Sequence, residues 1–586
     1  MEPQGGLSGD ALARARQAAV DALVGVRDRG GFPAEVEHPP EQMQRLMAFL
    51  TGDAGAEYLP MLEHELGLLG DVGAPTWTKD DVAPDVDFSV AVIGAGMSGI
   101  AAAHRLDQAK VPFVVFEKNG DVGGTWLENN YPGCRLDTSN FAYSYSFAQK
   151  SDWPQQFSAQ AEIRDYFKDV ATTLQLRDRI RFRTEVLAAA YDDESATWQL
   201  RTRNSAGVEE TLTVNAVISA VGQLNEPNYP DLPGMDRYAG VAMHSARWDT
   251  GVELAGKRVG VIGTGASAYQ IIPSIAGEVD QLVVFQRNAP WMLPTPAYHA
   301  DMSAGMRWLF QRVPDFHRWY RFWQVWIATE GRLPLVAVDP EWPGEESLSA
   351  ANDLLRRQLV DELRRQYADR PDLFEKVLPT YPAGAKRMLR DNGVWAATLH
   401  EPHVDLVTES IAEVTEKGVR TADGVEHEVD VLVYATGFRA SEFLTPMQVT
   451  GRGGVDLHEQ WAGDARAYLG IAVPGFPNLF CVYGPNTNLV VTGSIIYMSE
   501  CAVEYILECL RALLAGGHRA MDCRREPYEA YTEMIDARNR LQAWGAAEVS
   551  SWYKNANGRV TQNWPLPLLK YWQFTRELDL SAYELL

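Results

Sequence analysis

Three glycines at fixed spacing, and an acid that follows them, define the first chemistry in this chain. In SVAVIGAGMSGIAAAHRL an apolar run leads into Gly94, Gly96 and Gly99, and an Ala-rich helical pattern follows. A second apolar run, FVVFE, then ends at Glu117. In a strand–turn–helix unit the first glycine makes the tight turn, the second admits a pyrophosphate and the third lets helix pack on strand. An acid about 20 residues on holds a ribose 2′-hydroxyl. The free N–H groups of the helix that starts after Gly96 favour the phosphates. Glycine triplets also occur by chance in turns, but here both flanking strands and the closing acid are in place.

A second unit of this type lies downstream in KRVGVIGTGASAYQIIPSI, with Gly263, Gly265 and Ala268 at the three positions. Thr264, Ala266 and Ser267 fill its turn and are expected beside the cofactor. The next apolar run, QLVVFQRN, leads to Arg287 where the first unit has Glu117. An acid there would repel a 2′-phosphate, whereas a guanidinium binds one through two parallel hydrogen bonds. The first unit therefore suits FAD and the second NADPH. The alternative for Arg287 is a solvated charge at a strand end.

These turns need parallel sheets to hold them, so the expected fold class is α/β, with two Rossmann-type dinucleotide-binding domains. At 586 residues the chain exceeds one hydrophobic core. Four stretches are expected: a helical N-terminal extension and linker (1–85), a first part of the FAD domain (86–222), an NADPH domain (223–438) and a return to the FAD domain (439–586). The pieces ALARARQAAVDALVGV and EQMQRLMAFL in the extension have helical spacing. GDVGAPTWTKDDVAPDVD reads as a Pro/Asp-rich linker. Within the NADPH domain, 294–379 holds aromatic and Arg-rich stretches such as MRWLFQRVPDFHRWYRFWQVW, expected as a helical insertion whose aromatic stripe is core.

A net charge of −25 argues against nucleic acid or an anionic membrane as partner. No run of about 18 apolar residues occurs and the N-terminus lacks a basic-then-apolar pattern, so a cytoplasmic protein is expected. The five cysteines, Cys134, Cys481, Cys501, Cys509 and Cys523, form no CxxC, which points away from a zinc site or a redox disulfide. No metal is expected.

Two further segments narrow the reaction. YAGVAMHSARWD places Tyr238, Gly240, His244 and Trp248 in a pattern that resembles the FxGxxxHxxxW signature of Baeyer–Villiger monooxygenases, with Tyr for Phe. GTWLENNYPGCRLD resembles that family's GxWxxxxYPGxxxD pattern through Gly124, Trp126, Tyr131, Pro132, Gly133 and Asp137. The resemblance covers roughly residues 86–565, and the leading extension further resembles the long-chain members, the hydroxyacetophenone monooxygenases and the pentalenolactone-pathway enzymes.

The resemblance implies an enzyme that uses FAD, NADPH and O₂ to insert an oxygen beside a ketone carbonyl through a flavin C4a-peroxide. It implies Arg387, in PAGAKRMLRDNG, as the cation that stabilises the peroxide, with Asp137 orienting it. Gly124, Thr125, Trp126, Asp137 and Tyr143 would lie on the flavin side, and Lys386 would join Arg287 at the 2′-phosphate. Trp552 would contact NADP, its alternative being a core aromatic. Asn288 stands where the family often has Thr, which replaces a hydroxyl near that phosphate by an amide. Gly240, His244 and Trp248 would belong to the connection between domains, although a free pKa near 6.5 also suits His244 to general-base work. The expected partners are a small ketone and O₂, with the extension packed on the body or serving a homodimer contact. A polycyclic terpenoid ketone is the expected substrate, with an aryl ketone as the alternative. An N- or S-hydroxylating flavin monooxygenase and an NADPH-binding redox sensor are the rival readings.

Overall fold

The computed structural model describes residues 7–32, 39–52, 56–329 and 331–586. Parts of the expected extension, residues 1–6, 33–38 and 53–55, lie outside them, as does position 330 of the insertion.

Two five-stranded sheets, parallel throughout, carry the two glycine turns. The first has the order Leu479–Cys481, Ala216–Ser219, Val90–Ile93, Phe113–Glu117, Ile180–Phe182. The second has the order Val404–Val407, Gln281–Phe285, Arg258–Ile262, Val431–Tyr434, Val241–His244. In both, the strand that leads into the glycines is central, with the next strand in sequence on one side and a distant one on the other. Each sheet therefore opens a crevice at the carboxyl end of that strand, where such folds bind ligands. All of Val90–Ile93 is buried, as apolar runs in parallel sheets must be when both faces are covered.

The helix Met97–Gln108 packs its small residues Ala101, Ala102 and Ala103 into the core, and Ser98 Oγ meets Ser499 Oγ of the helix Ile495–Gly516 at 3.0 Å. A β-carbon at Gly99 would collide with the carbonyl oxygen of Gly94, so only glycine allows this helix to start so close to the turn. Cys501 and Cys509 are buried in the long helix as small apolar residues, and all five cysteines are free. Among its described residues the insertion forms four α-helices, Ala304–Arg312, Phe316–Thr329, Ala350–Gln366 and Pro371–Val377. No helix of the described residues is long and apolar enough to cross a membrane.

Two findings go beyond the sequence reading. A separate sheet, in the order Gln448–Thr450, Thr184–Asp192, Thr197–Asn204, Glu209–Val214, flanks the first parallel sheet. The stretch read as a linker holds a short helix, Lys79–Val82, because Thr78 and Asp81 form a capping box: Asp81 donates its amide to Thr78 Oγ1 (3.3 Å) and accepts from the Thr78 amide (3.0 Å).

The extension is anchored by buried charge. On the helix Leu59–Leu66, Met61, Leu62 and Leu66 enter the core. Glu65 accepts from Arg321 of the insertion at 2.6 Å, both side chains being almost fully enclosed. His64 Nε2 lies 2.8 Å from Glu504 Oε1 and its Nδ1 3.3 Å from Glu65. Burial alone would lower the His64 pKa, but Glu504 and Glu65 overcome it and raise the value to about 10.

His64→Gln removes one cation from this cluster, while Arg321 still serves Glu65 and Arg576 still serves Glu504. A loss of about 3 kcal/mol is expected, the low end for breaking a buried pair. Because the folded pKa is raised, the stabilisation is complete below the unfolded value of 6.5 and is lost as pH rises through about 10. The difference in Tm between wild type and variant should therefore narrow over that interval; a constant difference from pH 6.5 to 10 would show that His64 contributes no charge.

Candidate active site

The two crevices face one cavity of about 1820 Å³, lined by both glycine turns. On the first side, Gly96 is the N-cap of Met97–Gln108 and lies against Gly124, the N-cap of the short helix Thr125–Glu128. A β-carbon on Gly124, whose φ is +53°, would come 2.9 Å from Gly96 Cα, so the two backbones form a cradle that side chains would fill. Glu117, at the end of its strand, accepts from the amides of Ala95 and Asn119, each at 2.8 Å. Burial raises its pKa, against the pull of those two amides. The remaining lone pairs suit ribose hydroxyls, and the cradle fits the pyrophosphate of FAD. Trp126 Nε1 donates to the Tyr143 hydroxyl at 3.0 Å, which ties the Thr125–Glu128 helix to the cavity wall.

On the second side, Gly265 caps the helix Ala266–Ile275, and a β-carbon on it would meet nothing within 4 Å. Thr264 Oγ1 donates to the Asn288 carbonyl at 3.0 Å, while Thr264, Ala266 and Ser267 line the cavity and Ala268 is buried beneath them. Arg287 is exposed at the end of Gln281–Phe285. Lys386, more than 90 residues later, donates Nζ to Asn288 Oδ1 at 2.9 Å and lies over the Tyr381 ring. Burial, then the nearby Arg287, lower the Lys386 pKa to about 8. Two cations held together without a carboxylate fit a 2′-phosphate. The Asn288 amide oxygen thus positions Lys386.

Between the two sides stands an ion pair spanning 250 residues. Asp137 Oδ2 accepts from Arg387 Nε at 3.0 Å and from Nη2, and the Asp137 carbonyl accepts from Arg390 Nε. The side chains of Arg387 and Asp137 keep 32% and 23% of their surface accessible, so the pair opens to the cavity. Burial works against the Asp137 charge, but Arg387 and then Arg390 hold its pKa below the ordinary range. Asp137 in turn raises the Arg387 pKa. Tyr553, buried, and Tyr483, half-buried, neither of which the motifs single out, stand beside Arg387. Tyr483 donates to Asn488 Oδ1 at 2.8 Å, and Asn488 Nδ2 to Asn563 Oδ1 at 2.8 Å. This buried amide network carries the loop with Trp552, which lines the cavity and packs its ring against Tyr553.

His244 lies elsewhere. It ends the strand Val241–His244, just after Gly240, and accepts from the Ala246 amide at 3.0 Å. Burial lowers its pKa to about 4, so it is neutral at pH 7, and its ring packs against Tyr229 and Phe438. The Tyr238 hydroxyl donates to the Val429 carbonyl at 2.9 Å, a bond that Phe could not make. Trp248 packs at the edge of the second core.

Two nucleotide cradles facing one cavity, with a cation held between them, define a two-nucleotide flavoprotein oxidoreductase. The comparisons agree. Residues 88–309 match the family model described as flavin-binding monooxygenase-like. A Baeyer–Villiger monooxygenase of Streptomyces coelicolor is 38% identical over 499 residues, 85% of this chain and 92% of that one. The uncharacterized monooxygenase y4iD of Sinorhizobium fredii is 38% identical over 582 residues, 99% of this chain and 87% of that one. The solved structure of OTEMO in complex with FAD and NADP superposes with a TM-score of 0.74 at 29% identity, over 85% of this chain and 99% of that one. The chain belongs to the Baeyer–Villiger monooxygenase family.

Each charge-assisted bond to a phosphate contributes about 1.5–3 kcal/mol. Arg287→Ala should therefore weaken NADPH binding roughly 10- to 150-fold and leave NADH binding nearly unchanged. In the wild type, NADPH affinity should decline as pH rises through about 8, where unliganded Lys386 loses its proton. Titration by fluorescence quenching reads both; equal losses for NADPH and NADH would remove the clamp.

Proposed function

We propose that the chain converts a ketone to an ester or lactone by inserting one atom of O₂ beside the carbonyl, and that its substrate is a polycyclic terpenoid ketone. It is an FAD-dependent NADPH monooxygenase. The observation that carries the reading is the Asp137–Arg387 pair, open to the cavity where the two cradles meet. The long-chain likeness supports the terpenoid assignment, as do the apolar residues Val490, Val491 and Trp552 on the cavity wall. We assign residues 86–222 with 439–586 to FAD, and 223–438 to NADPH.

Bound FAD, reduced by NADPH, supplies the activation of O₂. The chain supplies the rest. Glu117 and the Gly94–Gly99 turn hold the adenosine half of FAD, with Gly124, Thr125, Trp126 and Tyr143 toward its ring. Arg287 and Lys386 would hold the 2′-phosphate, and Trp552, on the cavity wall, would contact NADP. Arg387 provides a fixed cation where negative charge develops on the ketone oxygen, which a preorganised site stabilises far more than water does. Asp137 orients that guanidinium through two hydrogen bonds. His244, neutral and capped on a backbone amide, holds the connection between the nucleotide units and moves no substrate proton.

Arg387→Ala tests the reading. Loss of one such donor costs about 2.7–4 kcal/mol, roughly 10²–10³ in rate. The variant should still oxidise NADPH but release hydrogen peroxide, with ester formation down by that factor. Product mass spectrometry beside NADPH consumption reads both. Ester formation at the wild-type rate would refute the role, and N- or S-oxides as the only products would favour a hydroxylating monooxygenase.

A further inference from the structure

Around the Asp137–Arg387 pair, Arg390 and Arg332 add positive charge to the cavity wall beyond what Asp137 balances. Arg332, just before the short 3₁₀ turn Leu333–Val336 of the insertion, lines the cavity, and its side chain has no hydrogen-bond or ion-pair partner among the described residues. Arg390 lines the same cavity; one face of its guanidinium lies 4.8 Å over the Phe157 ring, and its Nε is taken by the Asp137 carbonyl. Its terminal amino groups have no hydrogen-bond partner among the described residues. Burial, and then the facing Arg332, depress the Arg390 pKa to about 10, and burial lowers Arg332 as well. Asp137, the carboxylate in this group, is already committed to Arg387. Keeping two guanidinium groups on one cavity wall and poorly solvated costs free energy unless an anion arrives to share them.

Beside these cations the wall is apolar. Leu333 packs in one cluster with Val490, Val491 and Trp552, and Ile327 adds to the cavity lining. An occupant therefore meets hydrocarbon on one side and two guanidinium groups on another. The cofactor's 2′-phosphate already has Arg287 and Lys386 at the end of the Gln281–Phe285 strand. The Arg332–Arg390 pair belongs instead with Asp137 and Arg387, the group where the ketone is placed by the reading above.

We propose that the substrate is an apolar ketone bearing a carboxylate, and that Arg332 and Arg390 bind the carboxylate while the ring skeleton lies on the Val490–Val491–Trp552 wall. Planar guanidinium groups match a carboxylate in a two-bond fork, which fixes orientation as well as charge. The carboxylate would set which face and which carbon of the ketone lie toward Arg387. It takes no part in the bond changes.

The proposal rests on the ketone-oxygenating reading, and the test separates the two. Oxidised holoenzyme with NADP⁺ bound is titrated with matched pairs, each a keto acid and its methyl ester, on linear, monocyclic and fused bicyclic skeletons; kcat/KM is then measured for the same pairs. The keto acid should bind and turn over about 10- to 100-fold better than its ester on at least one skeleton. Arg332→Gln should bring that ratio close to one, and Arg390→Lys, which keeps the charge but loses the fork, should lower it part of the way. Parity of acid and ester on every skeleton overturns the proposal, as does a ratio unchanged in Arg332→Gln. A loss of NADP⁺ affinity in Arg332→Gln as large as the loss of keto-acid affinity also overturns it, since the guanidinium would then serve the cofactor. Tight keto-acid binding without any ester or lactone product would leave the carboxylate site standing and refute the oxygenation reading instead.

Discussion

The Asp137–Arg387 ion pair is the constraint on which the rest of the arrangement depends. A guanidinium in a mostly enclosed cavity is costly unless a carboxylate faces it, and a carboxylate there is equally costly without its cation. The two residues come from different nucleotide units, so the pair is satisfied only when both sheets are folded and docked. Arg390 adds a bond from its own strand to the Asp137 backbone. The cavity geometry is therefore fixed by charge rather than by apolar packing alone.

A second set of buried charges does comparable work at a distance. His64 and Glu65 in the extension, Arg321 in the insertion and Glu504 in the long helix close on one another where water is excluded. Three segments that are remote in sequence are locked together at the back of the first sheet. The Phe316–Thr329 helix links this lock to the cavity, since Arg321 faces the charge cluster while Gln324 and Ile327, one turn or so further on, line the cavity wall. The extension thus supports the wall from behind, and none of its described residues lines the cavity.

Much of this was legible in the sequence. Apolar runs ending in glycine turns, with Glu117 after one and Arg287 after the other, specify parallel sheets and two nucleotide sites because backbone conformation, strand burial and phosphate charge are local requirements. The resemblance to the Baeyer–Villiger monooxygenases brought Asp137 and Arg387 forward as partners, and the structure places them in hydrogen-bond contact. The alternating strand Thr197–Asn204, which buries Trp198, Leu200 and Thr202, was present in the pattern but carries no chemistry to draw attention to it. The Thr78–Asp81 capping box was likewise present and hidden by neighbouring prolines and aspartates.

Other features were decided only by the tertiary structure. Whether Asn288 weakens the phosphate site or serves it depends on a lysine 98 residues away, and only folding brings Lys386 to its amide. Tyr483 gains its place beside Arg387 from its bond to Asn488 and through it to Asn563, which no spacing rule describes. His64, an unremarkable histidine in a helical pattern, becomes a buried cation because two distant carboxylates enclose it. Sequence determines what each residue can do with its neighbours along the chain: turn, cap, alternate or carry charge. The protonation state of a buried group and the partner of an unpaired cation depend on which distant groups replace water around it, and only the packed structure determines that.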